Sequence, residues 1–338
     1  MGGFAKFGND LYTGERSINF VGRRNVWYII AAVMILCSII IPFARGGFVF
    51  GIEFRGGSQF QIEQVQGVSE DRDASQNIAI DTVEGVVAEA TPRVSVVGDD
   101  GLRIQTAQLT TTESNEVRDA LADAFEVPVD QINSSFIGPS WGADITGSAI
   151  RALIVFVILA AIVMALYFRT WKMSVAAIVS LVHDMIITAG VYGILGFEIT
   201  PSAVIGFLTI LGYSLYDTVV VFDKIRENTA EDGPESRRTF AESVNLAVNQ
   251  TLVRSINTGV VAALPVAAIL FIGGTLLGAG TLLDIALSLF IGILIGTYST
   301  IFVAAPLYSQ LRENEPDLQR RAQRTTTVRT AGTTGAVR

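Results

Sequence analysis

The chain has 338 residues, 50% hydrophobic and only 17% charged, against about 25% charged in an ordinary soluble domain. Its single cysteine, Cys37, excludes an intramolecular disulfide and a cysteine metal cluster, and its single histidine, His183, excludes a multi-histidine metal site. The net charge of −8 is uneven: residues 44–140 hold 16 acids against 6 bases, which argues against nucleic acid as a partner.

Residues 1–25 are polar, carry Lys6, Arg16, Arg23 and Arg24, and read as a cytoplasmic N-terminus. The first span, 26–43, lies in a charge-free run of 20 residues from Asn25 to Ala44, long enough for a ~30 Å hydrocarbon core. A cleaved signal peptide is the competing reading. The run is too long for a signal h-region, and no clear small-x-small site follows it. Trp27 and Tyr28 stand where interfacial aromatics anchor the inner end of a span.

Residues 44–142 have the texture of a water-soluble α/β domain. Gly47–Phe54 and Ser58–Glu63 read as strands broken by Arg55-Gly56-Gly57. Ser75–Ala90 has helical apolar spacing at Ile78, Val83, Val86 and Val87. Arg93–Val97 and Leu102–Gln108 flank Gly98-Asp99-Asp100-Gly101, a hairpin signature. Thr111–Phe125 reads as a second helix and Gln131–Ile137 as a last strand. The order β-α-β-β-α-β predicts a ferredoxin-like sandwich.

Five more spans follow at residues 146–168, 173–195, 201–222, 251–272 and 279–307. Between them lies a cytoplasmic loop, 223–250, and after them a cytoplasmic tail, 308–338, whose Thr/Gly-rich end reads as disordered. The fold class expected is therefore an α-helical polytopic membrane protein of six transmembrane helices with one external α/β ferredoxin-like domain. Orientation follows from Lys and Arg. The N-terminus, the 169–172 turn, the 223–238 loop and the tail after 310 carry 16, whereas the loops 196–200 and 273–280 carry none. Both termini are expected in the cytoplasm and the α/β domain outside.

Charged groups inside the spans are the candidates for chemistry: His183-Asp184, Asp217, Arg254 and Asp284. Asp217 lies six residues before the water-facing cluster Asp223, Lys224, Arg226 and Glu227, roughly 9 Å inside the boundary at ~1.5 Å per residue. A carboxylate there costs ~2.5–3.5 kcal/mol on insertion scales, so it is a functional candidate by default. Counted from the outer ends, Asp217 and Arg254 fall at similar depth on consecutive antiparallel helices, where an ion pair would neutralise both. One reading is a proton relay through Asp217 and Arg254, with Asp184 nearer mid-membrane; the other is a static pair that locks the helices. The relay is favoured because an acid with a His-Asp nearby makes a chain rather than a single lock. For His183 itself, a hydrogen-bonded structural role is the stronger reading. Asp284, near the outer surface, is expected to reach water or cap a neighbour. Gly292 and Gly296 form a GxxxG, which predicts a close helix contact. No Ser/His/Asp triad, Walker motif or zinc spacing occurs in the sequence, and nothing points to a chemical catalyst.

Three blocks carry a resemblance. Phe50-Gly51-Ile52-Glu53-Phe54-Arg55-Gly56-Gly57, Gly212 to Asn228 (GYSLYDTVVVFDKIREN) and Asn249 to Thr258 (NQTLVRSINT) resemble motifs of the SecF family, subunits of the bacterial SecDF export complex in the RND superfamily. The resemblance covers about residues 20–310. It implies a multi-pass protein of the bacterial cytoplasmic (inner) membrane, driven by the proton-motive force, which helps the SecYEG channel pull unfolded polypeptide outward. It implies half of an RND-type bundle, SecD as the partner supplying six more helices, a YajC-like subunit as a further partner, and protons as the coupling ion with no cofactor. Asp217 and Thr218 of the second block and Arg254 of the third are then the coupling residues, with Asp184 and His183 beside them. Gly51, Glu53, Gly56 and Gly57 become the hinge motif of the external domain. Three positions depart from the family pattern: Glu53 for Asp, Tyr216 for Asn and Lys224 for Arg. Half of a proton-driven RND exporter of small molecules or lipids is the alternative, although such exporters carry larger porter domains and a second six-helix half in one chain.

Overall fold

The computed structural model describes residues 3–63, 65, 68, 71–98, 100–168, 170–231, 238–273 and 280–333. Six helices are long and apolar enough to cross a membrane: Arg24–Ala44, Ser140–Phe168, Trp171–Leu195, Pro201–Ala230, Phe240–Ile272 and Leu282–Glu313. Several run past the apolar stretches that announced them. The fourth continues to Glu231, and the fifth starts at Phe240, where Thr239 and Glu242 close a capping box. The expected cytoplasmic loop therefore shrinks to a short connection, of which residues 232–237 lie outside the described residues, as do 274–279 of the outer loop.

The external domain has the expected order. Strands β2 (Gly57–Ile62), β3 (Arg93–Val97), β4 (Gly101–Thr106) and β5 (Ile132–Ile137) form an antiparallel sheet in the order β3-β4-β2-β5. Helices α4 (Arg72–Val86) and α5 (Thr111–Ala124) cover one face, capped by Asp71 and by the Thr110–Glu113 box. Phe60, Ile62, Ala79, Val83, Leu102, Ile104, Val117 and Leu121 form the core between sheet and helices.

The first strand departs from expectation. Only Val49–Phe50 (β1) is extended, and it pairs in parallel with Glu198–Ile199 (β6) of the outer loop between the third and fourth spans, not with the domain sheet. Ile52–Arg55 then makes a single helical turn, α3. The cause lies in the glycines. Gly56 at φ 77° and Gly57 at φ 147° take backbone conformations that side chains rarely adopt, so they reverse the chain between α3 and β2.

Small residues bring the spans together. Gly190 and Gly193 of the third span admit Ser38 and Pro42 of the first, where added β-carbons would collide. Gly206, Gly292 and Gly296 do the same between the fourth and sixth, against Ser288, Ile210 and Ser214. The GxxxG thus finds its partner in the fourth span.

Both chain ends hold more structure than their polarity suggested. Residues 3–13 form a helix, α1 (Gly3–Thr13), and Leu11, Phe20 and Val21 are buried in the inner core. Asn245 Oδ1 accepts from the Phe20 and Val21 amides at 2.8 and 3.1 Å, and Asn249 Oδ1 from the Ile18 amide at 2.8 Å. At the other end, the tail expected to be disordered is helical over Pro316–Thr333. Leu318 packs on the inner core and Thr325 is buried, which compensates for a weak apolar pattern.

Candidate functional site

A set of buried polar residues from four of the spans lines one seam. The fourth span contributes Ser214, Asp217 and Thr218, the third Ser180, His183, Asp184 and Thr188, the fifth Ser255, and the sixth Ser288, Ser299 and Thr300, all under 5% exposed. Helical repetition explains the alignment. On the fourth span Gly206, Ile210, Ser214 and Thr218 recur every four residues, and on the sixth Asp284, Ser288, Gly292, Gly296 and Thr300 do likewise.

Asp217 stands at the centre of the inner half of this seam. It is 4% exposed, and its Oδ1 accepts from Ser255 Oγ at 2.9 Å. Its Oδ2 is buried and has no hydrogen-bond partner among the described residues. One position on, the hydroxyls of Thr218 and Thr300 lie 3.0 Å apart, and Thr218 also donates to the Ser214 carbonyl. Thr300 opens a π-helical segment, Thr300–Ala304, a distortion common at functional sites. One turn outward, Ser214 Oγ donates to Asp184 Oδ2 at 2.6 Å, and His183 Nδ1 lies 3.1 Å from Asp184 Oδ1. His183 Nε2 is buried without a partner among the described residues, with the Tyr298 ring at 6.1 Å between centroids.

The ion pair expected between Asp217 and Arg254 is not formed among the described residues. Ser255 takes the place facing Asp217. Neighbouring residues on a helix point about 100° apart, and Arg254 is exposed on the flank of the bundle. Depth alone could not reveal this, because it says nothing of which way a side chain faces. Sequence reading also missed Ser214, Ser255 and Thr300, although the four-residue repeat of small and polar residues was the signal for two of them.

At the outer end, Asp284 accepts from Thr200 Oγ1 at 2.8 Å, and Thr200 Oγ1 in turn accepts from the Ala203 amide at the start of the fourth span. The glycine motif lies there too. The Gly51 amide donates to the Ile199 carbonyl at 3.0 Å, Gly56 and Gly57 make the reversal, and Glu53 sits between them with Oε2 buried and unpartnered among the described residues. Gly142, at the start of the second span, lets that helix close on the Phe54 carbonyl.

Residues 116–314 match the family model described as protein export membrane protein SecD/SecF, C-terminal. The protein translocase subunit SecF of Streptomyces coelicolor is 43% identical over 98% of this chain and 87% of its own length. The chain belongs to the SecF family. The protein translocase subunit SecDF of Thermus thermophilus is 32% identical over 86% of this chain, which spans only 38% of that longer protein. The crystal structure of SecDF from Thermus thermophilus superposes with a TM-score of 0.75 at 28% identity, over 88% of this chain and 39% of that one. Membership of a family of protein translocase subunits, with six membrane-crossing helices, makes this a multi-pass membrane protein with a role in protein translocation. The seam around Asp217 and Asp184 is thus the interior of a SecF-family bundle.

Proposed function

We propose that this SecF-family chain couples inward proton movement to the outward passage of unfolded polypeptide across the bacterial cytoplasmic membrane, alongside the SecYEG channel. The observation that carries the reading is Asp217, a carboxylate enclosed within a membrane span, one oxygen held by Ser255 and the other without a protein partner. Such a group gains or loses a proton at a large difference in solvation, which is what a coupling site needs. Thr218, Asp184 and His183 extend the polar route outward from it.

Arg254 fits the same reading in a different way from a fixed ion pair. A guanidinium exposed on the flank of an apolar bundle calls for an acidic or water-lined companion surface. SecD, fused to the matching region in the Thermus thermophilus chain, is the natural source, and a YajC-like subunit would join the assembly. Both termini lie in the cytoplasm, and the chain acts as a proton-coupled accessory with no chemical catalysis and no cofactor. The hinge glycines Gly51, Gly56 and Gly57, with Glu53, let the external domain respond to rearranged helices.

The test is gradient-driven completion of export in vesicles containing this chain, SecD and SecYEG, with ATP withdrawn. Asp217→Asn is expected to abolish the gradient-dependent step while the complex purifies intact. Unchanged export with an intact complex would reduce the buried charges to packing devices.

A further inference from the structure

The face of the external sheet turned away from its helices is polar. Phe60, Ile62, Leu102 and Ile104 point to the core, so the alternate positions Gln59, Gln61, Arg103 and Gln105 point to the other side. One of them is deeply enclosed: Gln105 is 4% exposed. Its Nε2 donates to Gln59 Oε1 at 3.2 Å and, across to the outer loop of the bundle, to Glu198 Oε2 at 3.1 Å. Its own Oε1 is buried and has no partner among the described residues. Glu198 is held from the other side by β6, which pairs with β1. This side-chain contact thus joins the sheet of the external domain to the membrane bundle.

The chemistry of that contact depends on one proton. A carboxylate offers only acceptors, so it satisfies the Gln105 amide nitrogen and leaves the buried Gln105 Oε1 unmatched. A carboxylic acid also offers an O–H. Acid and amide then close two hydrogen bonds face to face, N–H to the carboxyl oxygen and O–H to Gln105 Oε1. Burial is the largest influence on Glu198 and favours the protonated form; the Gln105 hydrogen bond as it stands, with Arg103 and Arg93 on the sheet, favours the ionised form, and Glu53 of α3 the protonated one. Asp284 of the sixth span shares the influence of Arg103 and Glu53 and is occupied by Thr200. Burial outweighs the rest and pushes the Glu198 carboxyl above its ordinary value.

We propose that Glu198 and Gln105 form a proton-dependent latch that docks the external domain on the outer ends of the spans, closed when Glu198 takes a proton from the outer solution. A carboxyl raised in the docked form favours docking fully below its free value, and that contribution is lost as pH rises through the docked one. The latch goes beyond proton-driven export and does not depend on it, because domain position rather than export reports it.

The experiment uses the full chain in lipid nanodiscs, with Cys37→Ser and spin labels at Asn115→Cys on α5 and Ile205→Cys on the fourth span, and measures the interlabel distance between about pH 5 and pH 8. The docked-to-undocked ratio is expected to fall as pH rises, about tenfold for each pH unit by which docking lifts the carboxyl. Glu198→Gln, which supplies both a donor and an acceptor, is expected to stay docked throughout. Gln105→Leu, which supplies neither, is expected to dock weakly at every pH. Asp284→Asn is expected to keep the wild-type pH dependence. The latch is overturned by a wild-type distance that does not change with pH, by Glu198→Gln titrating like wild type, or by Asp284→Asn alone removing the dependence.

Discussion

Replacing Gly57 by alanine puts a number on what the Gly56-Gly57 reversal demands. Gly57 stands at φ 147°, and a β-carbon there would run into the Thr106 carbonyl oxygen and lie 3.3 Å from Ile52 Cγ2. The carbonyl belongs to the strand paired with β2 through Ser58 and Thr106, so it cannot retreat without loosening the sheet. Backbone strain costs about 1–3 kcal/mol, and relieving the overlap costs about 1–3 kcal/mol. Taking the total as about 3 kcal/mol, the fraction of domain opened rises roughly a hundredfold. Amide hydrogen exchange of Phe60 and Ile104 in the full chain measures it, because those core-strand amides exchange through opening of the sheet. Gly85→Ala is the control: it lies in α4 with nothing within 4 Å of the added carbon, and is expected to stabilise by about 0.5–1 kcal/mol. Exchange of Gly57→Ala within about threefold of wild type, under 1 kcal/mol, would refute the argument that this position requires glycine.

Three further outcomes are expected. A double-mutant cycle of Thr218→Val and Thr300→Val should give a coupling of about 0.6 kcal/mol, at most ~1.7, measured by unfolding the full chain in bicelles; zero coupling would mean the two spans do not share that hydroxyl contact. Asn245→Ala should speed exchange of the Phe20 and Val21 amides about fivefold, the worth of ~1 kcal/mol of hydrogen bonding, with the rest of the inner core unchanged. Glu315 accepts from Arg312, which holds its carboxyl below the ordinary range, and from Lys172 at 2.8 Å. For a lowered carboxyl the stabilisation is present above its free value, about 4.3, and is lost as pH falls through the lowered one. Protease cleavage of the 316–333 helix should therefore rise on acidification in wild type, and Glu315→Gln should cleave readily already at neutral pH.

The six membrane-crossing helices and the order of the α/β domain were legible from residue types alone. Long charge-free runs must satisfy their backbone internally, which leaves a helix as the available solution. Alternation, capping residues and a Gly-Asp-Asp-Gly turn determine a β-α-β-β-α-β succession through local geometry. Asp217 was legible for a related reason, since an acid inside an apolar run is improbable unless something needs it there. The SecF-family motifs around it added its kinship.

Direction and partnership were decided only by tertiary packing. Whether Ser255 or Arg254 faces Asp217 depends on the rotation of the fifth span about its axis, which goes with its packing, Gly259 against Thr297 of the sixth span, and not with depth. Val49–Phe50 had the pattern of a strand, but no local rule says it should pair with Glu198–Ile199, 148 to 150 residues away in the chain, instead of its own domain. The tail beyond Pro316 looked disordered because its few apolar residues have no strong periodicity; Leu318 and Thr325 find cover only because the rest of the inner core supplies it. Local sequence settles which backbone forms are affordable, whereas contacts between residues far apart in the chain settle which surfaces meet, because their stabilisation exists only once the other elements are in place.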